Sequence, residues 1–189
     1  MIGVIKQWLG GGTGAPKVEV RVRVLLVCMG NICRSPTAEG VLRAKLARAG
    51  LAGDVEVDSA GTVGSHVGEA PDARAIAHAA ARGYDLSSLR ARQVQPADFD
   101  RFDWLLAMDQ DNLAWLQRRA PPGAAERCAL MLSFVGTAAG GGDGLAVPDP
   151  YYGSPAGFEQ VLDLLEDASD RLVVRLARRL AGAGSDGNA

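Results

Sequence analysis

Val24-Leu25-Leu26-Val27-Cys28-Met29-Gly30-Asn31-Ile32-Cys33-Arg34-Ser35-Pro36 decides how this chain is read. The apolar run Val24 to Val27 predicts a buried strand. It stops at a cysteine. Gly30 and Asn31 predict a short loop, and Ser35-Pro36 supplies the start signals of a helix. The unit is therefore strand–loop–helix, with a cysteine at the strand's end and an arginine six positions later.

Such a loop is an anion cradle. A chain entering a helix aims free backbone N–H groups at one spot, and the helix dipole adds positive charge there. Gly30 and Asn31 tolerate the positive φ angles that a nest of amides needs. The guanidinium of Arg34 is a planar fork that can grip two oxygens of a tetrahedral oxyanion. The same field favours a thiolate at Cys28, and Ser35 can donate a hydrogen bond to that sulfur. The loop from Met29 to Ser35 thus reads as a phosphate site with a nucleophile beneath it. A lone strand-end cysteine would more often be a small buried hydrophobe; Arg34-Ser35 at this spacing is what turns the reading.

Outward from the loop, residues 19–28 form the first strand, whose alternation of Glu19, Arg21 and Arg23 with valines suggests a start near the sheet edge or rim. A first helix follows from about Ser35 to Ala49, with Ala38, Val41, Leu42 and Leu46 on one face. Val55 to Ser59 is a second strand, parallel to the first by the right-handed βαβ rule. The loop from Ser59 to Gly68 then falls at the sheet end where open parallel sheets place ligands. Pro71-Asp72 opens a second helix that closes at Gly83. Residues 84–95 read as irregular. The third strand centres on Trp104–Ala107, a helix spans Asp109–Arg119, and the fourth strand is Cys128–Leu132. A Gly- and Ala-rich loop over 136–147 leads to Val147-Pro148-Asp149-Pro150-Tyr151-Tyr152-Gly153, and Ser154-Pro155 starts the last helix. The expectation is an α/β fold: a single-domain, doubly wound, four-stranded parallel sheet flanked by helices, with the phosphate-binding loop after strand 1. Residues 1–18 read as a flexible extension, 19–181 as the domain, and 182–189 as a frayed tail.

Composition narrows the classes. The chain has 189 residues, 48% apolar and 22% charged, with net charge −2. These are the values of a globular domain, and they give no sign of a nucleic-acid partner. Three cysteines, Cys28, Cys33 and Cys128, argue against a disulfide framework and for a reducing cytoplasm. With only His66 and His78 available and no CxxC pair, a structural metal site is not expected. No apolar run approaches the ~18 residues of a membrane span, and the short N-terminal apolar stretch lacks a signal-peptide pattern.

Cys-x5-Arg-Ser is the signature loop of protein tyrosine phosphatase chemistry. The longer Val27-to-Pro36 version, with a second cysteine before the arginine, resembles the low-molecular-weight protein tyrosine phosphatases of the bacterial type. The likeness extends over nearly all of residues 22–180. It implies a cysteinyl-phosphate route with Cys28 as nucleophile, Arg34 as phosphate clamp and no cofactor. Departure of a phenol needs an acid, and Asp149, set between two prolines and followed by two tyrosines, matches the family's general acid in Asp-Pro-Tyr-Tyr-Gly. Asn31 and Ser59 match positions that hold the loop in shape, Arg92 a brace of the surrounding loops, and Tyr151 and Tyr152 the substrate wall or sites of regulatory phosphorylation. Asp109 is expected near the site in a structural role. Cys33 is expected to trap an oxidised Cys28 as a disulfide. The implied partner is a phosphotyrosine protein, such as a tyrosine autokinase of exopolysaccharide or capsule assembly, and phosphate-like anions are implied ligands. Two departures stand out. Ser65 replaces an aromatic of the crevice wall, and Leu89 stands where some animal members have a histidine. An arsenate reductase on the same fold, or a phosphotyrosine-binding module without turnover, are the rival readings. The first wants a later resolving cysteine pair, and only Cys128 remains.

Overall fold

The computed structural model describes residues 20–134 and 145–183. The expected extension over 1–18, most of the 136–147 loop and nearly all of the 182–189 tail lie outside the described residues.

Four parallel strands form the sheet: β1 (Val22–Cys28), β2 (Val55–Gly61), β3 (Trp104–Ala107) and β4 (Cys128–Leu130), in spatial order β2-β1-β3-β4. The helices are α1 (Arg34–Arg48), α2 (Ala73–Ala81), a single turn α3 (Asp98–Arg101), α4 (Gln110–Arg119) and α5 (Pro155–Ala183). Successive side chains of β1 point to opposite faces, and both faces are covered, which is why its sequence reads as a continuous apolar run. Val22, Val24, Leu26 and Cys28 pack with Ala38, Leu42 and Leu46 of α1 and with Leu165, Leu172 and Leu176 of α5. Leu25 and Val27 face the other way, onto Phe99, Phe102, Leu105 and Leu116. This is the doubly wound α/β fold the sequence predicts.

Several details differ from the sequence reading. β1 is an interior strand, between β2 and β3, and only its first residues reach the rim. There Arg23 pairs with Glu56 at 3.0 Å, and its N–H donates to Asp103. β2 runs on through Ala60 and Gly61, because the register Leu26↔Ser59 to Cys28↔Gly61 continues the ladder across residues with turn propensity. β4 stops at Leu130, where its partner β3 ends. Met131 and Leu132 then turn in a 3-10 turn into the core on the α1–α5 side. Within the stretch read as irregular, Gln93 bridges to Gly61, and α3 follows just beyond it.

The connection from β1 through α1 goes to β2 on one side of β1, whereas β3 lies on the other. The carboxyl end of β1 is therefore the switch point where a ligand crevice opens. Among the described residues no helix is long and apolar enough to cross a membrane.

Candidate active site

Cys28 ends β1, and the chain passes through Met29–Cys33 before α1 begins at Arg34. Asn31 takes a left-handed conformation, with φ of 57°, one of the few non-glycine residues for which this is cheap. That twist turns its N–H onto the Cys28 sulfur at 3.3 Å. Ser35 Oγ lies 3.0 Å from the same sulfur.

A fully bonded network stands behind the loop. Asn31 Nδ2 donates to Ser35 Oγ and Ser59 Oγ, both at 2.9 Å, and Asn31 Oδ1 accepts the Arg92 N–H at 2.9 Å. The Ser59 hydroxyl donates to Glu39 Oε2 at 2.6 Å. Arg92 binds Asp58 and Asp98 through its guanidinium, tying β2 to α3. Of the residues expected at the site, Asn31, Ser35, Ser59 and Arg92 are in this network.

Arg34 is buried, yet its fork is occupied on both prongs. Nη1 donates to Asp109 Oδ2 at 2.6 Å and Nη2 to Asp149 Oδ2 at 2.8 Å. Burial works against the Arg34 charge, but the Cys28 sulfur and the two carboxylates outweigh it and hold its pKa above the usual arginine value. Asp109 also caps α4, its Oδ1 accepting the Asn112 N–H at 2.7 Å. Asp149 is 43% exposed at the side chain, at the mouth, and its second oxygen accepts the Tyr151 N–H at 3.1 Å.

One crevice gathers Cys28, Met29, Gly30, Ile32, Cys33, Arg34, Asp149, Tyr151 and Tyr152, together with His66. Its floor is the cysteine, its side the arginine, and its lips are aromatic and apolar. Tyr151 and Tyr152 meet edge to face at 4.8 Å. His66, the residue after Ser65, supplies part of the crevice wall. Its ring lies so close over Gly30 that a Cβ there would meet it at 3.2 Å, and Glu69 binds Nδ1 at 2.7 Å. Cys33 packs with Ala75 and Phe158 at the back of the crevice, and burial, with the charge of Asp72 next, pushes its thiol up to about 12. Cys128 does not line this crevice; it is buried in β4. Leu89 packs in the side cluster of Tyr84 and Leu86.

Two partners were not singled out from sequence. Glu39 sits on the inner face of α1 beside Ala38 and Val41, and a carboxylate in that apolar row was its signal. His66 had no signal beyond its loop. A wider groove is lined by Thr62, Val63, Gln95, Phe99, Asp100, Trp115 and Arg119, and its lining holds no cysteine or histidine.

A tetrahedral anion at the Cys28 sulfur would meet loop amides, a guanidinium and a carboxyl at once, the equipment for displacement at phosphorus. A family model described as low molecular weight phosphotyrosine protein phosphatase matches residues 23–181. A low molecular weight protein-tyrosine-phosphatase from Streptomyces coelicolor is 46% identical over 160 residues, covering 85% of this chain and 96% of that protein. The crystal structure of a protein tyrosine phosphatase from Entamoeba histolytica matches with a TM-score of 0.77 at 38% identity, over 83% of this chain and 97% of that one. Vibrio vulnificus Wzb in complex with benzylphosphonate matches with a TM-score of 0.70 at 28% identity, over 82% of this chain and 98% of that one.

Proposed function

The chain belongs to the low molecular weight phosphotyrosine protein phosphatase family and is a protein tyrosine phosphatase, and from that premise we propose that Cys28 is its nucleophile, Arg34 its phosphate clamp and Asp149 its general acid. The Cys28 thiolate attacks phosphorus as the phenolic oxygen leaves, and Asp149 supplies that oxygen's proton. Arg34 and the amides of Met29–Ser35 hold the remaining phosphate oxygens. Water then attacks the cysteinyl-phosphate, Asp149 takes its proton, and the sulfur departs with the Ser35 hydroxyl donating to it. Asn31, Ser59 and Arg92 keep the loop in shape. Tyr151 and Tyr152 flank the phenyl ring.

The observation that carries this reading is the Cys28 sulfur held by Asn31 N–H and Ser35 Oγ beneath the Arg34–Asp149 pair. The benzylphosphonate complex of the Vibrio vulnificus protein supports a crevice sized for one ring beside a phosphate-like group. For the physiological substrate we favour a tyrosine autokinase of exopolysaccharide or capsule assembly in the cytoplasm, a setting that the small, odd cysteine count supports; the readout is loss of tyrosine phosphate from the autokinase. The nucleophile assignment is tested with Cys28→Ser on p-nitrophenyl phosphate. Turnover should vanish while vanadate still binds, and residual wild-type turnover would remove Cys28 from the role.

A further inference from the structure

Asp72 and Arg74, at the head of α2, take no part in the chemistry above, yet they join the two halves of the site. The Asp72 N–H donates to the Ile32 carbonyl of the phosphate loop at 2.8 Å. The Asp72 carboxylate caps α2 through the Arg74 N–H at 2.8 Å and grips the Arg74 guanidinium with both oxygens, at 3.0 Å from Nε and 2.7 Å from Nη2. The same Nη2 reaches the Tyr151 carbonyl at 3.1 Å. The guanidinium lies over the Phe158 ring at 4.9 Å and over the Tyr151 ring at 5.6 Å. Tyr151 N–H, in turn, donates to Asp149 Oδ1.

These contacts form one continuous path from the phosphate loop to the carboxyl of Asp149. An Asp-x-Arg pair at a helix start is commonly only a cap and its surface partner. Here the guanidinium is also fixed to a residue 77 positions away in sequence and lies against two rings. Asp149's other anchor is Arg34, at 2.8 Å, and that fork is needed by the incoming phosphate. Once phosphate binds, a carboxyl on an exposed turn requires a support that does not depend on Arg34.

We propose that Asp72 and Arg74 are that support, and that Arg74 is a positioning residue for Asp149 and the Tyr151 wall. The inference rests on Asp149 being the general acid. Arginine suits the task because its rigid fork can satisfy Asp72 with one edge, donate to Tyr151 with the second hydrogen of Nη2 and still stack; a lysine ammonium cannot do all three.

The test compares wild type, Arg74→Ala, Arg74→Lys, Asp149→Asn and the Arg74→Ala/Asp149→Asn double variant on aryl phosphates of increasing phenol pKa, reading kcat/KM. A misplaced acid should hurt poor leaving groups most: about a 10-fold loss on phenyl phosphate for Arg74→Ala, against about 3-fold or less on the best leaving group. Arg74→Lys should lose nearly as much, and it carries the test if the alanine variant does not fold. Inhibition by inorganic phosphate should be unchanged, because the cradle itself is intact. In the double variant the Arg74 substitution should cost nothing further on phenyl phosphate. Leaving-group slopes parallel to wild type in both Arg74 variants, or a full additional loss in the double variant, would overturn the proposal. A flat Asp149→Asn profile would overturn the acid assignment and the brace with it, whereas a steep one beside flat Arg74 profiles overturns the brace alone.

Discussion

Glu39 shows what the site demands of a single residue. Its carboxylate is almost wholly buried on α1, accepts the Ser59 hydroxyl at 2.6 Å and faces Arg43 at 2.7 Å. Burial still wins and raises its pKa above the ordinary 4.5, because Arg43 is half exposed and water screens its pull. The native state therefore keeps the proton to higher pH than the unfolded chain does. Between the ordinary glutamate value and the raised native one, the folded state binds more protons, so this group's contribution to stability is greatest below that window and falls as pH rises through it. Glu39→Gln, which keeps an acceptor for Ser59, removes the effect. The variant should gain on wild type in urea midpoint as pH rises from about 4 towards neutrality. A difference that is constant or shrinks with pH would contradict the assignment. Asn31 is the complementary case. Buried and at positive φ, it uses both amide hydrogens and its carbonyl within the site, so its conformation and its bonds specify the same loop.

The end of β2 is an element fitted to another by close approach. Gly61 pairs with Cys28, and a Cβ on it would stand 2.7 Å from the Met29 carbonyl, 3.0 Å from the Val63 carbonyl and 3.1 Å from the Gly30 carbonyl carbon. All three are backbone atoms that cannot rotate away, so β2 or the phosphate loop must shift. Gly61→Ala should destabilise the fold by about 1–3 kcal/mol, by the usual cost of overpacking. It should also weaken inhibition by inorganic phosphate, because the loop that carries the amides is the element displaced. Full phosphate affinity in a folded Gly61→Ala protein would show that the loop is not set by this contact. The α1 start needs no side-chain cap: Cys33 stands at the N-cap without one, which leaves the first turn's amides available to an anion.

Across the whole molecule, phosphate affinity and stability are linked, since the cradle exists only when β1, α1, β2 and the Asp149 turn are assembled. Inorganic phosphate at about 100 times its Kd should add about 2.7 kcal/mol to unfolding stability. The gain should survive in Cys28→Ser and disappear in Arg34→Ala; an equal gain in Arg34→Ala would place the phosphate elsewhere. Much of this assembly is written locally. The apolar run to Val27, the loop with Gly30 and Asn31, the Ser35-Pro36 helix start and the Asp149-Pro150 turn carry their own periodicities and backbone preferences, so the doubly wound sheet follows from the order of residues, and the principal residues of the proposed site are legible there too. Tertiary structure decided the rest. The interior place of β1, the extra length of β2, the early end of β4, the His66 wall and the Asp109, Glu39 and Arg74 contacts all depend on pairing between residues far apart in the chain. Strand register and ion-pair partners are set by which surfaces meet when both faces of β1 are buried, and no local preference of the residues involved encodes that meeting.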